Sequence, residues 1–298
     1  VSLVPHATEL LFALGLGDQV VGVTHECDHP TAALELPHVT TDRLPPGLSA
    51  AEIDAAVRER TEQGEAIYDL DTELLAELEP DLIVTQALCP VCAVSYEDVQ
   101  AIAKRMKPEP HVIALDPTTF GETIGDIRTI SDATGAKEGA FLLIASIAKR
   151  VRAVERALEG VEPVTVAALE WLDPVFAAGH WTPQLIEMAG GYDVLGLPGE
   201  HSEQVSWDMV VTAQPEIVVC MPCGYDLARA QEEAESFAPQ LAQIGARRVV
   251  AVDAAGTFSR PGPRLADGLE LLAHVLHPDR VPEAPTVALD VEGAVLIG

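Results

Sequence analysis

Short aliphatic, β-branched runs alternate with amphipathic helical stretches along this chain, and that alternation limits the fold more than any other feature. The runs fall at residues 20–23, 82–85, 112–115, 164–169, 217–219 and 249–252, and residues 1–5 open the chain in the same pattern. Strands separated by helices pair in parallel and need helices on both faces, so the chain is expected to be α/β with doubly covered sheets.

Residues 136–160 break the rhythm. Apolar residues at Leu143, Ile144, Ile147, Val151, Val154 and Leu158 keep helical spacing, the stretch holds no proline, and Gly160 and Pro163 close it. It is predicted to be one long helix between lobe 1–135 and lobe 161–298. A weak internal repeat points the same way. Pro80-Asp81-Leu82-Ile83-Val84 matches Pro215-Glu216-Ile217-Val218-Val219, and Val112 to Asp116 matches Val249 to Asp253. Thr8 to Gly22 matches Thr182 to Gly196 at a larger offset, which predicts an extra segment around residues 28–69 in the first lobe.

Charge excludes one class of partner. With 18 Lys plus Arg against 47 Asp plus Glu, the formal charge is −29 and no basic cluster interrupts it, so nucleic acid is not expected as a partner. Aromatic residues make up 4 %, so Ala, Val, Leu and Ile must build the core. An acid-rich surface of this kind suits high salt, where self-repulsion is screened. No run of 18 apolar residues occurs, so no membrane-spanning helix is expected; the stretch from Val1 shows neither an initiator Met nor the basic n-region of a signal peptide, and an initiating segment or export signal would belong to residues ahead of it.

Polar residues with ligand chemistry gather after predicted strands. Cys89-Pro90-Val91-Cys92 and Cys220-Met221-Pro222-Cys223 are both C-x-x-C pairs, while His25-Glu26-Cys27-Asp28-His29 and His180-Trp181 follow other strands. Carboxyl ends of parallel strands are where open α/β sheets bind ligands. Buried thiols, a disulfide, a thioredoxin-like redox pair and a metal site involving Cys27, Cys89, Cys92, Cys220, Cys223 and His25 all remain open. No P-loop, no G-x-S-x-G and no H-E-x-x-H occurs, so no catalytic residue is assigned.

The opening Val1-Ser2-Leu3-Val4-Pro5-His6-Ala7-Thr8-Glu9-Leu10-Leu11, followed by Asp18-Gln19-Val20-Val21-Gly22, resembles the substrate-binding proteins for cobalamin and iron complexes that serve ABC transporters. Residues 80–85 and the stretch Phe258-Ser259-Arg260-Pro261-Gly262-Pro263-Arg264 resemble further elements of that family. The resemblance implies two Rossmann-like lobes joined by a backbone helix, with ligand held between them. It implies Pro5, His6, Glu26, Trp171, His180, Trp181, Phe258 and Arg260 as ligand contacts, with His6 standing where the family has Ser. It also implies Glu97 and Asp208 as acidic residues that meet an ABC permease. The cargo it implies is cobalamin or a related corrinoid, carried as ligand with no cofactor required, by a monomer outside the cytoplasm. The odd cysteine count keeps a cytoplasmic setting as an alternative. The competing functions are a metal or metal-chelate binder using Cys and His directly, with haem or a siderophore as cargo, and a thiol-redox enzyme.

Overall fold

A computed structural model describes residues 1–63, 65–87 and 94–295. The chain divides into two compact units, one of residues 1–117 and 124–144, the other of residues 118–123 and 145–298. Cys89 and Cys92 lie outside the described residues.

The first unit opens with α1 (Pro5–Ala13), whose first turn is set by Pro5. β1 (Thr40–Asp42), α2 (Ala50–Glu62) and β2 (Tyr68–Leu70) follow, with β1 and β2 paired antiparallel and α2 held by a reciprocal cap between Ser49 and Glu52. These elements are the extra segment that the unequal repeat offset predicts. α3 (Thr72–Glu77), β3 (Leu82–Thr85), α4 (Tyr96–Ala103) and β4 (His111–Ala114) then form a parallel β3-β4 pair. Leu3, Leu75, Ile83 and Val99 fill the core beneath it.

Two expected strands are reduced to single bridges. The run at 20–23 is mostly buried, but its neighbours differ residue by residue: Val20 N–H closes a turn on Gly17, Gly22 accepts from Ser2, and only Val23 bridges to His38. At the N-terminus Ser2 bridges Val84 in parallel before Pro5 turns the chain into α1. β-branched composition fits burial as well as it fits pairing, and here burial is what it serves.

α5 (Phe120–Thr134) and α6 (Lys137–Ala157) carry the chain from one unit into the other. α6 has 21 residues, so the periodic stretch at 136–160 is helical nearly throughout.

The second unit contains β5 (Val164–Leu172), β6 (Val175–Ala177), α7 (Thr182–Met188), β7 (Gly191–Asp193), β8 (Glu203–Gln204), α8 (Trp207–Ala213) and β9 (Ile217–Cys220). α9 (Leu227–Ser236), α10 (Ala238–Ile244), β10 (Arg248–Val252), α11 (Ala254–Thr257), α12 (Leu265–Leu276) and β11 (Ala288–Asp290) complete it. Its sheet runs β11-β10-β9-β5-β6-β8, with β7 also on β5; β7, β5, β9 and β10 are parallel, while β11 on β10, β6 on β5 and β8 on β6 pair antiparallel. This is the α/β architecture expected of the alternating pattern. The repeat is visible in the register, since Ile83 pairs with Val112 in the first unit as Val218 pairs with Val249 in the second.

Candidate functional site

Strand β5 is the pivot of the second unit's candidate site. Its register against β6 shifts between Leu169 and Trp171, leaving Glu170 as the extra residue of a bulge. Leu169 and Leu172 lie in the hydrophobic core and Trp171 packs against it, on either side of the bulged Glu170. Ser202 Oγ donates to the Glu170 carboxylate, the Gly179 N–H supplies a second bond, and the Glu170 carbonyl accepts from Cys223 N–H at 3.0 Å. Burial outweighs those two donors and pushes the Glu170 carboxyl up to about 7, with the nearby Asp193 charge adding to the rise. Asp193, at the end of β7, accepts from Leu195 N–H at 3.0 Å and Gly196 N–H at 2.9 Å, and burial pushes it up to about 6.

The loops at 178–181 and 199–202 are locked together. His180 N–H donates to Glu200 O at 2.6 Å and Gly199 N–H to His180 O at 2.9 Å. A Cβ on Gly179 would stand 2.3 Å from Ser202 N and 2.5 Å from the His201 carbonyl carbon, so only glycine lets the two backbones approach this closely. His180 is held at φ +53°, a left-handed conformation uncommon for a side-chain-bearing residue. The result is an imidazole pair: His180 Nε2 lies 3.1 Å from His201 Nδ1, with the rings edge to face. Burial and the neighbouring His201 lower the pKa of His180, which favours its neutral form.

Aromatic and cationic candidates surround this pair. The Trp181 indole N–H donates to Phe258 O at 2.7 Å, and both side chains are nearly covered, at 8 % and 3 % exposure. Trp171 packs edge to face on Tyr225, and its indole nitrogen is buried with no hydrogen-bond partner among the described residues. Arg260 is half-buried in the segment whose Ser259 Oγ accepts from Gly224 N–H at 3.0 Å. Bonds among these loops therefore tie 170, 179–181, 200–202, 223–224 and 258–259 into one constellation after β5 and β9.

The thiols occupy unlike environments. Cys220 is fully buried in the core, and burial pushes its pKa up to about 12, which leaves almost no thiolate for redox attack. Cys223 is exposed. In the first unit Cys27 is buried among hydroxyls, with Thr8 Oγ1 and Thr24 Oγ1 each 3.1 Å from its sulfur. His25 Nδ1 lies 2.8 Å from Thr40 Oγ1, and the Tyr68 hydroxyl donates to exposed Glu26 at 3.4 Å. Pro5 and buried His6 belong to α1. No cluster of three or more metal-ligating side chains is present among the described residues.

Glu97 and Asp208 are both exposed in the first turn of a helix, α4 and α8. They are not equivalent, because α4 follows β3 while α8 precedes β9. Glu73, in the first turn of α3, stands as far ahead of β3 as Asp208 stands ahead of β9. Glu170, His201, Ser202 and Glu73 were not singled out from the sequence. Only Glu170 leaves a trace there, as a carboxylate directly following an apolar run.

Residues 1–246 match the periplasmic binding protein family. The chain belongs to this family. Among curated relatives it is 23 % identical over 275 residues to the vitamin B12-binding protein of Vibrio cholerae, covering 91 % of this chain and 86 % of that one. It is 26 % identical over 295 residues to an uncharacterized ABC transporter substrate-binding lipoprotein of Bacillus subtilis, covering 95 % and 81 %. In fold it resembles a periplasmic haem-binding protein of Vibrio cholerae, with a TM-score of 0.69 and 18 % identity over 93 % of this chain and 98 % of that one. A periplasmic binding protein works as the substrate-binding component of an ABC transporter outside the cytoplasm, and the relatives lend no support to a cytoplasmic setting. No helix among the described residues is long and apolar enough to cross a membrane.

Proposed function

We propose that this chain captures a corrinoid, of which cobalamin is the type, and delivers it to an ABC permease without catalysing any reaction on it. The observation that carries this reading is the likeness to the vitamin B12-binding protein along nine-tenths of the chain. The strand-end constellation supports it: a cross-tied set of loops presents Arg260, His180 and His201, and a guanidinium suits the amide or carboxylate periphery of a corrin. In this reading, with lobes 1–135 and 161–298 joined along the chain by the helix at 136–160, Pro5, His6 and Glu26 are the proposed ligand contacts in the first lobe and Trp171, Trp181 and Phe258 those in the second. Asp208 meets the permease, with Glu97 or, by its matching place ahead of β3, Glu73 as its counterpart.

A second reading, haem or another metal chelate held by direct ligation, is favoured by the imidazole pair. Equilibrium dialysis and thermal shift with cyanocobalamin, cobinamide, haemin and a ferric siderophore separate the two. A ligand at about 100 times its dissociation constant stabilises the folded protein by about 2.7 kcal/mol. Corrinoid binding with no haemin binding supports the first reading, and failure of both corrinoids overturns it.

A further inference from the structure

His180 Nε2 and His201 Nδ1 stand at hydrogen-bond distance, which is also a separation at which two imidazoles can share a cation. Metal–imidazole bonds are about 2.0–2.1 Å long, so two nitrogens 3.1 Å apart subtend about 100° at a shared cation, between the square and the tetrahedral angle. We propose that His180 Nε2 and His201 Nδ1 together ligate one divalent transition-metal cation of the zinc, cobalt or nickel type. This site goes beyond the corrinoid reading, because a macrocycle occupies the equatorial positions of its own metal and leaves no adjacent pair for two imidazoles.

The chemistry selects the cation class. Two neutral nitrogen donors favour borderline transition metals over magnesium and calcium, which take oxygen. The donors are held in place before any ion arrives: the Gly179 close approach, the two backbone bonds between residues 180 and 199–200, and the Ser202–Glu170 bond fix both loops. The left-handed backbone at His180 is strain of the kind that collects at ligand sites. No third His, Cys, Asp or Glu completes the set among the described residues, so the remaining positions fall to water or to donor atoms of a bound cargo. A formal charge of −29 raises the local concentration of any cation.

The test is calorimetric titration of the full, chelator-stripped chain with zinc chloride, run on wild type, His180→Asn and His201→Asn, with magnesium chloride as control. Asn tolerates the left-handed backbone at 180, and His201 is exposed, so both variants should fold; their melting curves without metal check this. The expected result is one zinc equivalent lost, or weakened about tenfold or more, in each variant, with no magnesium binding in any form. Zinc held by thiols elsewhere titrates alike in all three proteins. Equal stoichiometry and affinity in wild type and His201→Asn would overturn the proposal whatever the outcome of the corrinoid screen.

Discussion

Replacing Glu170 with Gln tests the electrostatics of the strand-end constellation directly. The folded protein holds the Glu170 proton up to about pH 7, whereas an exposed glutamate releases it near 4.5. Between those values the folded state binds more protons than the unfolded one, so the Glu170 contribution to stability falls as pH rises from about 4.5 to about 7 and stays low above that. The full penalty is about 3 kcal/mol. Gln removes the charge and keeps the contacts: its carbonyl oxygen accepts from Gly179 N–H, and its amide donates to the Ser202 hydroxyl, which rotates to receive it. Glu170→Gln is therefore expected to match wild type at or below about pH 4 and to exceed it by up to about 3 kcal/mol near pH 8, or roughly 5–10 °C in melting temperature. Urea and thermal melts of both proteins at fixed salt measure the difference, and the comparison cancels the repulsion among the other carboxylates. A variant-minus-wild-type difference that does not grow between pH 5 and pH 8 refutes the assignment of a buried, proton-holding Glu170.

Asp193→Asn should show the same sign in a lower window, from about pH 4 to about pH 6, with a smaller gain because the amide nitrogen inherits an oxygen position that has no partner among the described residues. Gly179→Ala forces a methyl into the backbone of residues 201–202 and should cost about 1–3 kcal/mol by denaturant melts, with zinc and cargo binding lost together. Arg150 forms paired bonds to Glu270 at 2.9 and 2.6 Å and reaches Asp267 at 2.5 Å, so Arg150→Met should cost about 1.5–3 kcal/mol at low salt and less as salt rises. Charge reversal by Asp208→Arg together with Glu73→Arg should lower transport by the reconstituted importer about tenfold while leaving cargo affinity unchanged; a loss from Glu97→Arg alone, with none from Glu73→Arg alone, would move the first-unit contact to α4.

Sequence alone determined the parts of this protein that rest on local chemistry. Alternating strand and helix patterns gave α/β architecture, and the uninterrupted apolar period gave α6. The repeat is carried by strands whose two copies keep the same parallel register, so it survived as similar short runs. The opening motif carried the family. Residues 20–23 mark where this local signal stops, since an aliphatic run satisfies burial while making no more than a single bridge, Val23 to His38.

The candidate site was decided by tertiary structure. His180 and His201 are 21 residues apart, and nothing periodic links them; they meet because Gly179 admits a close backbone approach and Glu170 pins Ser202. Glu170 itself falls at a register shift that depends on how β6 pairs with β5, which its own strand does not encode. The two cysteines of one C-x-x-C motif part company for the same reason. Cys220 ends a buried strand and Cys223 sits on an exposed turn, so identical residue types at motif spacing acquire opposite exposure from their surroundings.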